Sequence, residues 1–455
     1  MLVARVVFII AIFASLTAAQ ATADLIITNA VGRTMDARRT VTSAVAVSNG
    51  RIVAVGSDSE IARFRGAATR MIDAKKRLVI PGFNDAHVHF TGVGNWFSHL
   101  DLSKATSRDE MLRQISHFTR FLPKGRWLLG GKLDPTKWQD QRLPTPAELD
   151  AVSPHNPVFL YFKDHSSAFV NSLAFAASTI PLEQKTLNTA EIIRDESGRG
   201  TGVVRHSALT RVRGAVPKNN ATNWAEITEA ASNDAVSLGV TSVQDVHSDN
   251  FAEMYRRMDR DGKLKARIYD CIGLSDWERS PSVGTRAGTG DGMVRTGCVK
   301  WMAEGIEGEV DDLKERFAAV DRAGLQIMVH AIGARSNANA ISALEYLTVR
   351  NGKRDRRSRI EHATRMRRVD IDRLFRVNII ASMQPALFYG GGENVDDDYA
   401  YLLRKNVRLA FGSDASMIDI DPIAGIHAAV NSGSRSISVA AAVLAYTLGS
   451  AYGEF

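Results

Sequence analysis

The run Arg77-Leu-Val-Ile-Pro-Gly-Phe-Asn-Asp-Ala86 ends in His87-Val88-His89. In an extended strand residues i and i+2 share a face, so both imidazoles point one way and offer half of a divalent-metal site. A lone His-x-His is weak evidence, but four later segments repeat the theme. They are Val299-Lys300-Trp301, Met328-Val-His330-Ala331, Arg359-Ile-Glu-His362-Ala363 and Ala410-Phe-Gly-Ser-Asp414. Each sets one further candidate ligand at the end of a short apolar run. Taken singly, such residues have bland explanations: a hydrogen-bonded histidine, an aspartate capping a helix, a lysine reaching for solvent. Taken together, His87, His89, Lys300, His330, His362 and Asp414 recur at strand ends, where barrel enzymes do their chemistry. Lys300 is the informative member. An ammonium buried among cations is costly and cannot ligate metal, whereas its carbamate would be an anion able to bridge two ions.

The elements that must position these residues follow a regular rhythm. Strand-like runs at 240–245, 266–270, 298–302, 326–330, 359–362, 379–383 and 408–411 join the His87 strand, and helical patterns such as 309–323 and 337–349 lie between them. Eight strands separated by crossovers predict an α/β fold, a (β/α)8 TIM barrel over residues 79–90 and 236–455. Residues 24–78 read as a small β-sandwich-like unit, with Asn49-Gly50 marking a hairpin. Residues 91–235 hold strands and helices of their own and form a large insertion after the first barrel strand, expected to cover the active site.

A content of 45% hydrophobic and 24% charged residues is that of a folded globular chain and argues against disorder. Before Asp24 the only charge is Arg5, residues 6–16 are nearly all apolar, and Ala21-Thr22-Ala23 has a small-x-small cleavage pattern. Residues 1–23 therefore read as a signal peptide, too short to span a membrane, and the protein is expected in the periplasm or secreted. Cys271 and Cys298 fall in consecutive predicted strands. A bridge is open to them, but two buried free thiols are the expectation. The basic stretch 350–359 lacks interleaved aromatics and runs into a strand, so it reads as a solvated loop, not a nucleic-acid surface. The expected partner is a small-molecule substrate, with no nucleic acid, no membrane after signal cleavage, and a homodimer as the assembly left open.

Pro81-Gly-Phe-Asn-Asp-Ala-His-Val-His89, Val299-Lys300, Val329-His-Ala-Ile-Gly333, Arg359-Ile-Glu-His-Ala363, Met383-Gln-Pro385 and Gly412-Ser-Asp414 resemble the amidohydrolase superfamily, and within it the amidohydrolase 3 (YtcJ-like) group. The resemblance implies one or two divalent ions, zinc by default, held by His87, His89, Lys300, His330, His362 and Asp414, with Lys300 carboxylated. It implies hydrolysis of an amide, cyclic amide or related C–N bond by a metal-bound hydroxide, with Asp414 as the catalytic proton acceptor. His165 and Gln384 are the expected substrate contacts. Three features depart from the group: Ala334 where an Asp is usual, Glu304-Gly305 where Asp-Gly is usual, and an end at Phe455 that leaves the N-terminal strands expecting exposed edges. The group includes a regulator of exoenzymes in plant soft-rot bacteria (AepA), so a non-catalytic, regulatory role is the alternative expectation.

Overall fold

The computed structural model describes residues 22–36, 38, 40–91, 99–103, 105–120, 122–139, 141–163, 166–180, 191–217, 221–246, 251–278, 286–301, 310–389, 398–415 and 418–455. Apart from Thr22 and Ala23, the expected leader lies outside them. Among the described residues no helix is long and apolar enough to cross a membrane. Contacts divide the chain into two compact units, Met1–Pro81 and Gly82–Phe455.

In the first unit the strand Leu25–Thr28 lies between Ala44–Ser48, antiparallel, and Arg70–Asp73, parallel, with Arg51–Gly56 at one edge. The hairpin turn falls at Asn49-Gly50, whose φ values of 50° and 71° are those a type I′ turn requires. Ile26, Ala44, Ala46 and Ile61 form its core. Ile52, Val53 and Val55 on one edge strand and Met71 on the other are exposed.

The second unit is built on eight parallel strands: β1 (Phe83–Val88), β2 (Val240–Asp245), β3 (Arg267–Gly273), β4 (Val294–Trp301), β5 (Gln326–Ile332), β6 (Arg359–Thr364), β7 (Ile380–Met383) and β8 (Leu409–Phe411). Each ladders onto the next in chain order. Every residue of β1 and β6 is buried, as expected for strands covered on both sides. The ring closes through the segment after β8: Asp414 N–H donates to His87 O at 2.7 Å and His89 N–H to Ala415 O at 2.6 Å. The Asp85 carboxylate accepts from Ser413 N–H at 3.0 Å. Gly412 makes this seam sterically feasible, because a Cβ there would lie 2.5 Å from His87 N. The fold is the expected (β/α)8 barrel.

Within 91–235 the strands Ile192–Arg194, Gly200–Arg205, Ser167–Val170, Val158–Phe162, Leu128–Leu133 and His99–Asp101 form a separate six-stranded sheet. Alternation gives it two apolar faces. Leu160, Phe169 and Val203 belong to one core and Phe159, Ala168 and Val204 to the other.

The cysteine expectation is corrected. Cys271 on β3 and Cys298 on β4 form a disulfide, with Cα atoms 4.7 Å apart. Between β3 and β4 the register slips by one residue after Asp270↔Thr296, so that Cys271 pairs with Cys298. Gly297, at φ 114°, is the extra residue; a side chain there would meet the Arg286 carbonyl oxygen. Nothing in the spacing of the two cysteines discloses this bulge, so adjacency alone left the bridge open without deciding it. The bridge closes a loop of 27 residues. Chain-entropy reasoning makes that worth about 3–4 kcal/mol, so reduction, or Cys298→Ser, is expected to lower the unfolding free energy by that order in urea titrations.

The final residues occupy the N-terminal end of the barrel. Gln244 Nε2 donates to Ser450 O at 2.8 Å, Gln326 Nε2 to Gly453 O at 2.7 Å, and Asn84 Nδ2 to Glu454 Oε1 at 2.9 Å. Burial pushes the Glu454 carboxyl up to about 7 against the pull of Arg295 and its Asn84 hydrogen bond. A folded-state value above the unfolded one means stability is greatest below about 4.5 and falls as pH rises to about 7. Part of the residue reaches solvent, so the loss is about 1–2 kcal/mol. Glu454→Gln, which keeps the hydrogen bond, is expected to flatten this part of the stability profile and to leave the variant more stable than wild type at pH 8.

Candidate metal centre

Four barrel strands and the β8 segment deliver the candidate ligands to one end. His87 Nε2 and His89 Nε2 each lie 3.4 Å from Asp414 Oδ1. The donor atoms of His87, His89 and Asp414 all fall within 4.8 Å of one another, a spacing a metal ion could span. His362 Nδ1 is 4.0 Å from Asp414 Oδ2, and Lys300 Nζ is 3.4 Å from His87 Nε2. The His362 ring centroid is 4.8 Å from that of His87 and 4.4 Å from that of His330. All six residues singled out by their strand-end positions thus meet in one cluster.

Two of them sit in strained backbone. His362 and Asp414 have φ of 68° and 58°, a left-handed conformation that side-chained residues adopt rarely. At His362 the consequence is visible, since it breaks the pleat. Consecutive residues Glu361 and His362 both reach His87, which strict alternation would forbid.

The protonation pattern suits a cation. Burial, aided by the Lys300 charge, lowers His87 to about 4. Burial also holds His362 well below the usual histidine range. Burial lowers Lys300 to about 8, against the pull of Glu361 and Asp414. Burial works to raise Asp414, but the imidazoles of His87, His89 and His362 outweigh it and keep the carboxylate ionised. His87 Nδ1 is 2.6 Å from Glu361 Oε2 and donates to it, which leaves Nε2 with a lone pair aimed at Asp414 Oδ1. A lone pair facing a carboxylate oxygen repels it unless a cation lies between them. His362 Nδ1 is likewise buried without a hydrogen-bond partner. The residues present therefore fit a divalent ion.

Sequence reasoning passed over the residues that hold His87. Glu361 is fully buried, and Arg359 Nε donates to its Oε1 at 2.8 Å. Burial alone would raise Glu361, but the Arg359 guanidinium and the His87 hydrogen bond hold it well below the carboxylate range. A signal existed: Arg359 and Glu361 stand at i and i+2 in an apolar strand, so both charges share a face and pair. Gln384, at the end of β7, is buried with Oε1 unpartnered. Ala334 opens the helix Ala334–Asn351. His165, Glu304 and Gly305 lie outside the described residues.

The sequence profile of the amidohydrolase family, Amidohydro_3, matches residues 70–453. The chain is 29% identical to Protein LONG AFTER FAR-RED 3 of Arabidopsis thaliana, over 90% of this chain and 78% of that protein. It is 29% identical to the N-substituted formamide deformylase of Arthrobacter pascens, over 81% and 74%. It is 26% identical to the exoenzymes regulatory protein AepA of Pectobacterium carotovorum, over 68% and 74%. Among solved structures, an uncharacterized metal-dependent hydrolase from Pyrococcus furiosus superposes with a TM-score of 0.67 at 23% identity, covering 94% of both chains. With its barrel and the strand ends that carry the candidate ligands inside the matched span, this chain belongs to the amidohydrolase family.

Proposed function

We propose that the protein is an exported, divalent-metal-dependent hydrolase that cleaves an amide, cyclic amide or related C–N bond of a small molecule. The observation that carries this is the convergence of the His87 and His89 imidazoles on the ionised Asp414, with Lys300, His330 and His362 around them. In this reading those six residues hold one or two ions, zinc being the default for a histidine-rich set. When bound, the metal supplies Lewis-acid polarisation and a water acidified to about pKa 7.

The chain's own residues do the rest. Asp414 Oδ1 faces His87 and His89, so Oδ2 is the oxygen that takes a proton from the attacking water and returns it to the leaving amine. Lys300, with its amine eased towards the neutral form, can add carbon dioxide through Nζ and lose a proton to give a carbamate anion, which would help to hold the ions. Gln384 Oε1, buried and unpaired, accepts from a substrate N–H, while His165 and the insertion 91–235 set specificity. The deformylase relative supports an N-acyl substrate by its name. Export is supported by the apolar leader and by a disulfide, which persists in oxidising compartments.

The test is metal content by elemental analysis of the exported protein, beside His330→Ala, with N-formyl and cyclic amides as substrates. One to two equivalents of divalent metal are expected (roughly the occupancy of mono- and two-metal sites), lower in the variant, with hydrolysis falling in parallel. A folded wild type that stays metal-free after incubation with zinc or manganese would sink this reading in favour of a regulatory, AepA-like role. A finer test concerns His87. Glu361→Gln is expected to weaken zinc binding about 10- to 100-fold in chelator competition, because the carboxylate fixes the tautomer and raises the basicity of Nε2. Unchanged affinity would remove Glu361 from the metal site.

A further inference from the structure

The basic stretch 350–359, set aside above as a solvated loop, does not stand alone. At the N-terminal ends of β4, β5 and β6 it forms one wall of a cleft of about 390 Å³, with Arg286, Arg322, Gly324, Arg354, Arg356 and Phe455 among its lining. That volume is of small-molecule size. The cleft lies at the opposite end of the strands from the ligand cluster: Leu325 precedes His330 by five residues of extended chain, about 16 Å.

The charges in this cleft do not balance. Arg354 Nη2 and Arg356 Nε both rest on one oxygen of the buried Asp321, at 2.5 and 2.9 Å, so two guanidiniums share a single carboxylate. Asp355, the other acidic lining residue, is taken by Arg357 at 2.9 Å. Arg286 and Arg322 have no acidic partner within 4.0 Å among the described residues. The walls are also fixed. Ala287 N–H donates to Gly324 O at 3.1 Å, Arg356 Nη2 donates to Leu347 O at 3.1 Å, and Asn351 Nδ2 braces Asp321 at 2.8 Å. Exposed arginines are ordinary on a surface. Several converging on a rigid concavity with too few carboxylates are what an oxyanion needs, because the planar fork of each guanidinium matches paired oxygens.

We propose that this cleft binds a small molecule bearing phosphate groups, at a site separate from the metal centre. Arg286 and Arg322 supply the uncompensated charge, while Asp321 holds Arg354 and Arg356 in position.

Calorimetric titration of the full chain with tripolyphosphate, inorganic phosphate and citrate tests this. Saturable tripolyphosphate binding is expected, tighter than that of single phosphate or of citrate. Arg286→Ser combined with Arg322→Ser, both at exposed positions, is expected to weaken it at least about tenfold, at the low end for two charge-assisted contacts. Melting temperature and metal content should not change, which separates failure here from failure of the proposed hydrolase. Equal affinity in wild type and double variant would overturn the site, as would absence of saturable binding to wild type. Citrate binding as tightly as tripolyphosphate would overturn the phosphate assignment.

Discussion

A guanidinium buried inside the barrel is the interaction on which the rest depends. Arg359 is fully buried and touches four strands: it bonds Glu361 on β6, Ser382 on β7, the Ala86 carbonyl on β1 and Gln244 on β2. Such a charge is tolerable only because every direction is met by an acceptor; removing one partner would leave it stranded. The arrangement has a directional result. Arg359 keeps Glu361 ionised, Glu361 accepts the Nδ1–H hydrogen bond of His87, and the lone pair of His87 Nε2 is thereby aimed at Asp414. An electrostatic chain runs from the barrel's interior to its ligand end.

The seam between β8 and β1 sets the other half of the geometry. Asp414 is held against His87 by its own backbone N–H, and His89 is held against Ala415 in turn. Three candidate ligands are therefore positioned by the same hydrogen bonds that close the barrel. The left-handed backbone at Asp414 and His362 fits this picture, because strain of that kind persists where surrounding structure over-determines it. Loosening the seam would cost the fold and the site together.

How much of this was legible in the sequence follows from what periodicity records. Burial on both faces leaves near-continuous apolar runs, so β5, with Ile327-Met-Val329, starts in the structure at the residue expected, Gln326, and the Asn49-Gly50 hairpin follows from turn chemistry alone. Strand ends also mark the clustered candidate ligands, since polar residues there interrupt those runs. Register is different. The bulge at Gly297 shifts one strand by a residue and brings Cys271 against Cys298, and the left-handed step at His362 turns two neighbours inward. Both depend on backbone conformation at single residues, which alternation cannot encode. The Arg359–Glu361 pair and the shared Asp321 were hidden for another reason: a charged residue reads as exposed until its partner is known.

The disulfide carries the argument one step further, because of its height in the barrel. Cys298 lies two residues before Lys300 on β4, and Met328 two before His330 on β5, so each occupies the interior layer beneath a candidate ligand. Cys271 Sγ packs 3.5 Å from Met328 Sδ. The bridge therefore fixes a pairing, β3 to β4, whose register is irregular below the candidate site, and packs on the side chain beneath His330 on the next strand. A barrel whose candidate site is built from strained and buried polar residues needs its middle layer rigid. Here a covalent link supplies that rigidity at the point where a slipped ladder would otherwise give Lys300 freedom to move.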